Sequence, residues 1–224
     1  MRKLIFKGKT IYSSKFGDIY YDPKYGLEES VYVFIKGCNL DTELECLQSA
    51  TIAELGFGTG LNLIALLKHL KENNIKTRIN YYSIEKFPLG KEKIKQISKS
   101  FSKEMCYFKI LLKNYPNTPK KNIKLKITDN VNLKILVGDA KEKLKEIPQY
   151  IDYWFLDGFS PSKNPRMWSH EIFMLISKKS KIGTKLSTFS SARIVKDGLK
   201  LANFHYSRAK GFNNKRHMIK AHKE

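Results

Sequence analysis

Glu54-Leu55-Gly56-Phe57-Gly58-Thr59-Gly60-Leu61-Asn62 is the stretch that decides the fold. Just before it, Ala50–Leu55 is an apolar run of strand length. Just after it, Leu61–Lys71 repeats its apolar residues with helical spacing. Three alternating glycines between a strand and a helix let the backbone turn sharply and bring its amides against a ligand with no Cβ in the way. A dinucleotide fingerprint needs Gly-x-Gly-x-x-Gly, and counted from Gly56 its third glycine falls on Leu61. The pattern is instead Glu-x-Gly-x-Gly-x-Gly.

Outward from this loop, strands and helices alternate. Arg78–Glu85 predicts a second strand and Pro88–Lys103 a basic amphipathic helix. Asn122–Thr128 and Asn132–Val137 predict a hairpin turning at Asp129-Asn130. Ala140–Glu146 reads as a short helix and Ile151–Leu156 as a buried strand. A loop rich in Ser, Pro and Asn, Gly158–Pro165, leads to a helix from about Trp168 to Lys179. Lys185–Phe189 is a strand, Ala192–Ala202 a helix, and the last 20 or so residues a hairpin. Upstream, alternating segments around Lys3–Phe6 and Asp18–Tyr21 form a small β lead-in. Leu27–Lys36 reads as a helix with Glu28 and Glu29 in its first turn, where carboxylates suit the dipole. The alternation predicts a doubly wound parallel sheet, with ligands bound beyond the C-terminal strand ends near the switch point.

The chain has 224 residues, enough for one α/β domain with a real core. Lys and Arg number 42 against 21 Asp and Glu, a formal charge of +21 that makes a polyanion the expected partner. The excess is greatest from Pro161 onward, with 15 basic against 3 acidic residues and interleaved aromatics, a composition able to neutralise phosphates and stack bases. Cys38, Cys46 and Cys106 give neither a disulfide framework nor paired metal-ligand spacing, so reduced thiols, a cytoplasmic location and no metal are expected. The apolar stretch within Met1–Lys7 is too short for a signal peptide, and no run approaches the roughly 20 apolar residues of a membrane span.

The glycine loop resembles the first motif of class I methyltransferases. The resemblance implies that Glu54 and the amides of Gly56, Phe57, Gly58, Thr59 and Gly60 hold the aminoacyl part of S-adenosylmethionine. Two strand-end acids then fall in the required order: Glu85 to accept both ribose hydroxyls and Asp139 to accept the adenine amino group. A third segment, Asp157-Gly158-Phe159-Ser160-Pro161-Ser162-Lys163-Asn164-Pro165-Arg166-Met167-Trp168, follows the buried strand Tyr153-Trp154-Phe155-Leu156. With Gly17-Asp18-Ile19-Tyr20-Tyr21, Gly26-Leu27-Glu28-Glu29, Thr188-Phe189-Ser190-Ser191-Ala192 and Lys210-Gly211-Phe212, it resembles the methyltransferase half of the bifunctional bacterial enzymes that complete 5-methylaminomethyl-2-thiouridine at the tRNA wobble position. The resemblance spans residues 15 to 220.

It implies a Rossmann-like class I S-adenosylmethionine-dependent methyltransferase: a doubly wound, mostly parallel sheet over residues 41–224, with residues 1–40 as a lead-in packed on that core. It also implies methylation of 5-aminomethyl-2-thiouridine in the tRNA anticodon stem-loop, on substrate supplied by upstream wobble-uridine modification enzymes. Asp157 becomes the catalytic residue, touching both cofactor and amine. Phe159 is placed to stack on the base, and Lys163, Arg166, Lys210, Lys215 and Arg216 to contact phosphates. The family's flavin-dependent oxidase domain is not in this sequence, so a stand-alone methyltransferase is expected. Asn213-Asn214, His217 and Arg193 depart from the family pattern at positions that bear on RNA contact. Methylation of another RNA or protein amine, and a non-catalytic RNA-binding domain of this fold, are the competing readings.

Overall fold

The computed structural model describes residues 4–8 and 10–224. The lead-in is a three-stranded antiparallel sheet of β1 (Leu4–Lys7), β2 (Thr10–Ser13) and β3 (Asp18–Ile19). Lys3, expected to begin the first strand, lies outside the described residues. The sequence reading missed β2, which pairs with both neighbours. The helix expected over Leu27–Lys36 is two pieces, α1 (Gly26–Ser30) and a wider π turn, Val31–Ile35. A short α2 (Leu40–Glu43) follows.

The core unit then runs β4 (Ser49–Leu55), α3 (Leu61–Glu72), β5 (Arg78–Glu85), α4 (Lys91–Ser98), α5 (Met105–Leu112), β6 (Ile123–Lys126) and β7 (Val131–Val137). It continues with α6 (Ala140–Lys143), β8 (Ile151–Leu156), α7 (His170–Lys178), β9 (Ser180–Thr188), α8 (Arg193–Leu201), β10 (Phe204–Lys210) and β11 (His217–Lys223). The single helix expected over Pro88–Lys103 is a correction. Gly90, in extended conformation, precedes a start at Lys91, and the helix ends at Ser98. The apolar run Met105–Leu112 forms a second helix that buries Tyr107, Phe108, Leu111 and Leu112.

Eight strands form one sheet in the order β10-β11-β9-β8-β4-β5-β7-β6. The five central strands are parallel, whereas β6 pairs antiparallel with β7 and β11 is inserted antiparallel between β9 and β10. Alternation within the strands builds a core on each face. Tyr153 and Phe155 of β8 join the side packed by α3, α4 and α5, while Trp154 and Leu156 join the side packed by α7 and α8. β4 lies between β5 and β8, so the chain leaves it toward one edge and later returns on its other flank. Such a reversal leaves a crevice beyond the strand ends, and it opens at Leu55 and Leu156, which are register partners.

Candidate active site

Three glycines shape the floor of the crevice. Gly56, Gly58 and Gly60 have φ of 95°, 51° and 80°, all in the left-handed region. At Gly56 a side chain is also excluded by space: an added Cβ would stand 2.1 Å from the Asp157 carbonyl oxygen. This close approach ties the two loops together, since Asp157 N–H donates to the Leu55 carbonyl (3.2 Å) and Gly56 N–H to that of Ile84 (2.9 Å). The loop therefore locks the tips of β4, β5 and β8 into one rim.

Above the rim is a cavity of about 760 Å³, within the range that takes a drug-sized ligand. It brings together Gly56, Phe57, Gly58, Thr59, Glu85, Asp139 and Asp157 of the expected cofactor residues, and Phe159, Lys163, Arg166 and Lys215 of the expected RNA residues. Gly60 instead caps α3, with Phe57 and Leu111 close to where a Cβ would project.

Glu54 takes a different place from the one expected. It is 1% exposed and lies beneath the floor rather than on it. Its carboxylate accepts from Asn62 Nδ2 (2.8 Å) and Ser83 Oγ (2.7 Å). Burial pushes its pKa up to about 8, against the lowering effect of those hydrogen bonds. Asn62 carries the connection upward, since the same Nδ2 donates to Asp157 Oδ2 at 2.6 Å. One side-chain amide thus holds two carboxylates apart and joins them. The Asn62 bond and the nearby Lys215 charge favour the Asp157 carboxylate, but burial outweighs them and raises its pKa to about 7. Asp157 therefore changes protonation near neutral pH, as a general base or acid requires.

The other two acids are held by their own surroundings. Glu85 Oε2 accepts from Gly58 N–H (3.1 Å) and its Oε1 from Phe87 N–H (2.8 Å), which points the carboxylate across the glycine loop. Asp139 caps α6 through Lys141 N–H (3.1 Å) and pairs with Lys86 Nζ (2.7 Å). The hydrogen bond from Lys86 lowers its pKa. Two buried polar atoms lining this region, Asn62 Oδ1 and the Tyr21 hydroxyl, have no hydrogen-bond partner among the described residues. An unmade bond of that kind costs about 1–3 kcal/mol, so the pair fits a zwitterionic ligand end with an ammonium donor and a carboxylate acceptor. Asn62, the left-handed glycines and the strand-end acids together fit S-adenosylmethionine.

The mouth is aromatic and is built partly by the lead-in. Phe159 stacks on Phe16 with centroids 4.6 Å apart and meets the Tyr20 edge at 5.2 Å. Asp18 Oδ2 accepts from both Ser160 N–H (2.9 Å) and Ser160 Oγ (3.0 Å), clamping the loop after Asp157 across 142 residues. Trp168 Nε1 holds the loop from below through the Phe159 carbonyl at 2.9 Å. Lys163 and Arg166 are exposed at this mouth. Lys210 and Arg216 are exposed outside the cavity, at the tip of the β10–β11 hairpin.

Lys215 has a partner that the sequence does not announce. Its Nζ forms an ion pair with Glu29 Oε1 and sits 5.4 Å from the Phe189 ring centroid at the cavity wall, while half of the side chain stays exposed. A nearly buried carboxylate without a partner is costly, and Glu29 supplies the reason for the pairing. The sequence assigns no site role to Asn62, Asp18, Tyr21 or Glu29. All four stand inside quoted motifs, but the partners of Asn62, Asp18 and Glu29 lie 8 to 186 residues away.

Among the described residues, no group of three or more His, Cys, Asp and Glu side chains is placed to hold a metal ion, and no helix is long and apolar enough to cross a membrane.

Comparison with known proteins agrees with this fold. A family described as S-adenosyl-L-methionine-dependent methyltransferase matches residues 102–224. The tRNA 5-methylaminomethyl-2-thiouridine biosynthesis bifunctional protein MnmC of Leptospira interrogans is 40% identical over 214 residues, covering 94% of this chain and 33% of that protein. The protein of the same name from Campylobacter concisus is 37% identical over 218 residues, covering 97% and 34%. The chain thus spans about a third of the length of these relatives. The crystal structure of MNMC2 from Aquifex aeolicus superposes with a TM-score of 0.77 at 24% identity, covering all of this chain and 70% of that one, which shows a common fold.

Proposed function

The chain belongs to the S-adenosyl-L-methionine-dependent methyltransferase family, and on that premise we propose that it methylates the primary amine of 5-aminomethyl-2-thiouridine at the tRNA wobble position. The observation that carries this reading is Asp157: a carboxylate with a pKa of about 7, fixed by Asn62 at the β8 tip, between the glycine loop and an aromatic mouth. The curated relatives named for this nucleoside's biosynthesis support the choice of substrate.

S-adenosylmethionine supplies an electrophilic methyl group on a sulfonium sulfur. The protein has to deliver a neutral amine in line with it and keep water away. In this reading Glu85, held by the Gly58 amide, accepts the ribose hydroxyls, Asp139 lies by the adenine, and the amides of Phe57 and Thr59 with Asn62 Oδ1 and the Tyr21 hydroxyl take the aminoacyl end. Gly56, Gly58 and Gly60 shape that loop, and Glu54 acts from below through Asn62. A wobble base must leave the anticodon stack to reach the floor, and Phe159 with Phe16 and Tyr20 offers it an aromatic face. The amine enters as an ammonium, and Asp157 Oδ takes its proton before attack. Lys163 and Arg166 at the mouth, and Lys210 and Arg216 on the hairpin, meet the anticodon backbone.

Residues 1–40 act in the same reading as a lead-in packed on a methyltransferase domain of residues 41–224, with the Asp18–Ser160 clamp among its contacts to the site. The substrate has to come from an earlier reaction that installs the aminomethyl group, in the cytoplasm where the tRNA is. The test is transfer of labelled methyl from S-adenosylmethionine to tRNA bearing the free amine, beside the same tRNA with the amine acetylated. Label in the first alone is expected. Label in both moves the target atom elsewhere on the RNA.

A further inference from the structure

The Glu29–Lys215 ion pair joins two segments 186 residues apart inside the cavity that holds Asp157. Its members differ in environment: the Glu29 side chain is 15% exposed and the Lys215 side chain 52%. Glu29 is fixed on α1, whereas Lys215 reaches in from the hairpin tip and lays its Nζ toward the Phe189 ring. Both carboxylates face the same space, and the Glu29 charge disfavours ionisation of Asp157 while Lys215 favours it. A carboxylate and an aromatic face about one ammonium are the components of a recognition site for a primary alkylammonium.

We propose that Glu29 and Phe189 form the receiving site for the substrate's aminomethyl ammonium, and that Lys215 holds that site until the substrate displaces it. This rests on the function proposed above and names the residues that select its substrate. The exchange is chemically even, because one ammonium replaces another on Glu29. Lys215 is the member able to leave, since its half-exposed charge returns to water while Glu29 remains paired throughout. The arriving ammonium is then beside Asp157, which takes the proton. Glu29 is a positioning and specificity residue here, and the transfer itself stays with Asp157. An amine-free or acylated nucleoside has no charge with which to displace Lys215, so it is rejected before chemistry.

The test measures, with S-adenosylhomocysteine present, the binding of tRNA bearing the free aminomethyl group and of the same tRNA acetylated at that amine. The quantity read is the ratio of the two affinities. Glu29→Gln should lower this ratio by about tenfold or more, the scale of losing a desolvated charge partner. Lys215→Met keeps the apolar stem over Phe189 but removes the competing charge, and should raise the ratio several-fold. A pair that only clips the hairpin to α1 would respond alike to both substitutions, and shifts of the same sign overturn the inference. If Glu29→Gln fails to bind S-adenosylhomocysteine, Lys215→Met decides alone, and an unchanged or lowered ratio overturns it. A wild-type chain that transfers no methyl to the free-amine tRNA overturns the proposed function and this inference together. Normal transfer with variants that shift alike overturns only the inference.

Discussion

Glu54 is buried and Asp157 half-buried, both with raised pKa values, yet they answer different experiments because only Asp157 faces the cavity. Asp157→Asn preserves shape but removes the proton acceptor, and its single-turnover methyl transfer should fall by roughly 10²-fold or more, the scale of losing a general base. In the wild type the same step should speed up as pH rises through about 7, the Asp157 value, and the mutant should lose that rise. For Glu54 the readout is stability. Its folded pKa of about 8 stands above its ordinary 4.5, so the folded state holds the proton more tightly than the unfolded chain does. Stability should therefore fall as pH rises between those values. Glu54→Gln should flatten that fall in a series of thermal melts, and an unchanged pH slope would place the carboxylate in a polar setting. At this scale the sequence exposed the strand-end acids, because a parallel sheet puts the residue after each strand at the ligand. It did not expose Asn62 as the link between two of them, because a buried amide in the first turn of a helix reads as ordinary packing. Nor did it show Lys215 paired at the cavity wall, because its partner is a carboxylate 186 residues away.

The glycine loop between β4 and α3 is the element on which the cofactor reading depends. Gly58 lies at φ 51°, its N–H donates to Glu85, and a Cβ there would point toward the Tyr20 ring at 3.4 Å. Gly58→Val puts a β-branched residue in a conformation such residues avoid and fills the floor. Calorimetry should show loss of S-adenosylhomocysteine binding while circular dichroism stays native, and retained affinity would move the cofactor off this loop. Elements with a clear period were legible: β5 and β8 were predicted with the bounds they have, and the β6–β7 and β10–β11 hairpins were anticipated. Others were not. Strand β2 is four residues long and buries only Ile11 and Ser13, too brief for alternation to register. The helix α5 is apolar except for Lys109, which leaves too little polar face to give a period. Strand β9 begins five residues before the expected Lys185, since Ser180 pairs with Ile151 ahead of an irregularity that breaks the pattern.

At the scale of the whole molecule, the proposed function joins a charge of +21 and a cavity with a basic mouth in one binding event, in which the RNA backbone would be held outside and one base taken in. Changing Lys163, Arg166, Lys210 and Arg216 to Ala should weaken tRNA binding and reduce its salt slope by up to about 0.7–0.9 log units per lost phosphate contact. Affinity for S-adenosylhomocysteine should stay the same. An unchanged slope in a filter-binding titration would return these four to ordinary solvated surface. The aggregate charge was plain in the composition, but its division was not: Lys215 and Lys86 are committed to Glu29 and Asp139, while Lys163 and Arg166 stand at the entrance. The most direct measurement of the account is nucleoside mass spectrometry of tRNA bearing 5-aminomethyl-2-thiouridine after incubation with this chain and S-adenosylmethionine. The account predicts that the wobble nucleoside becomes heavier by one methyl group, carried on the side-chain nitrogen, and that Asp157→Asn abolishes most of the conversion. An unaltered wobble nucleoside from a chain that binds S-adenosylhomocysteine, or a methyl group on any other atom of the tRNA, would contradict it.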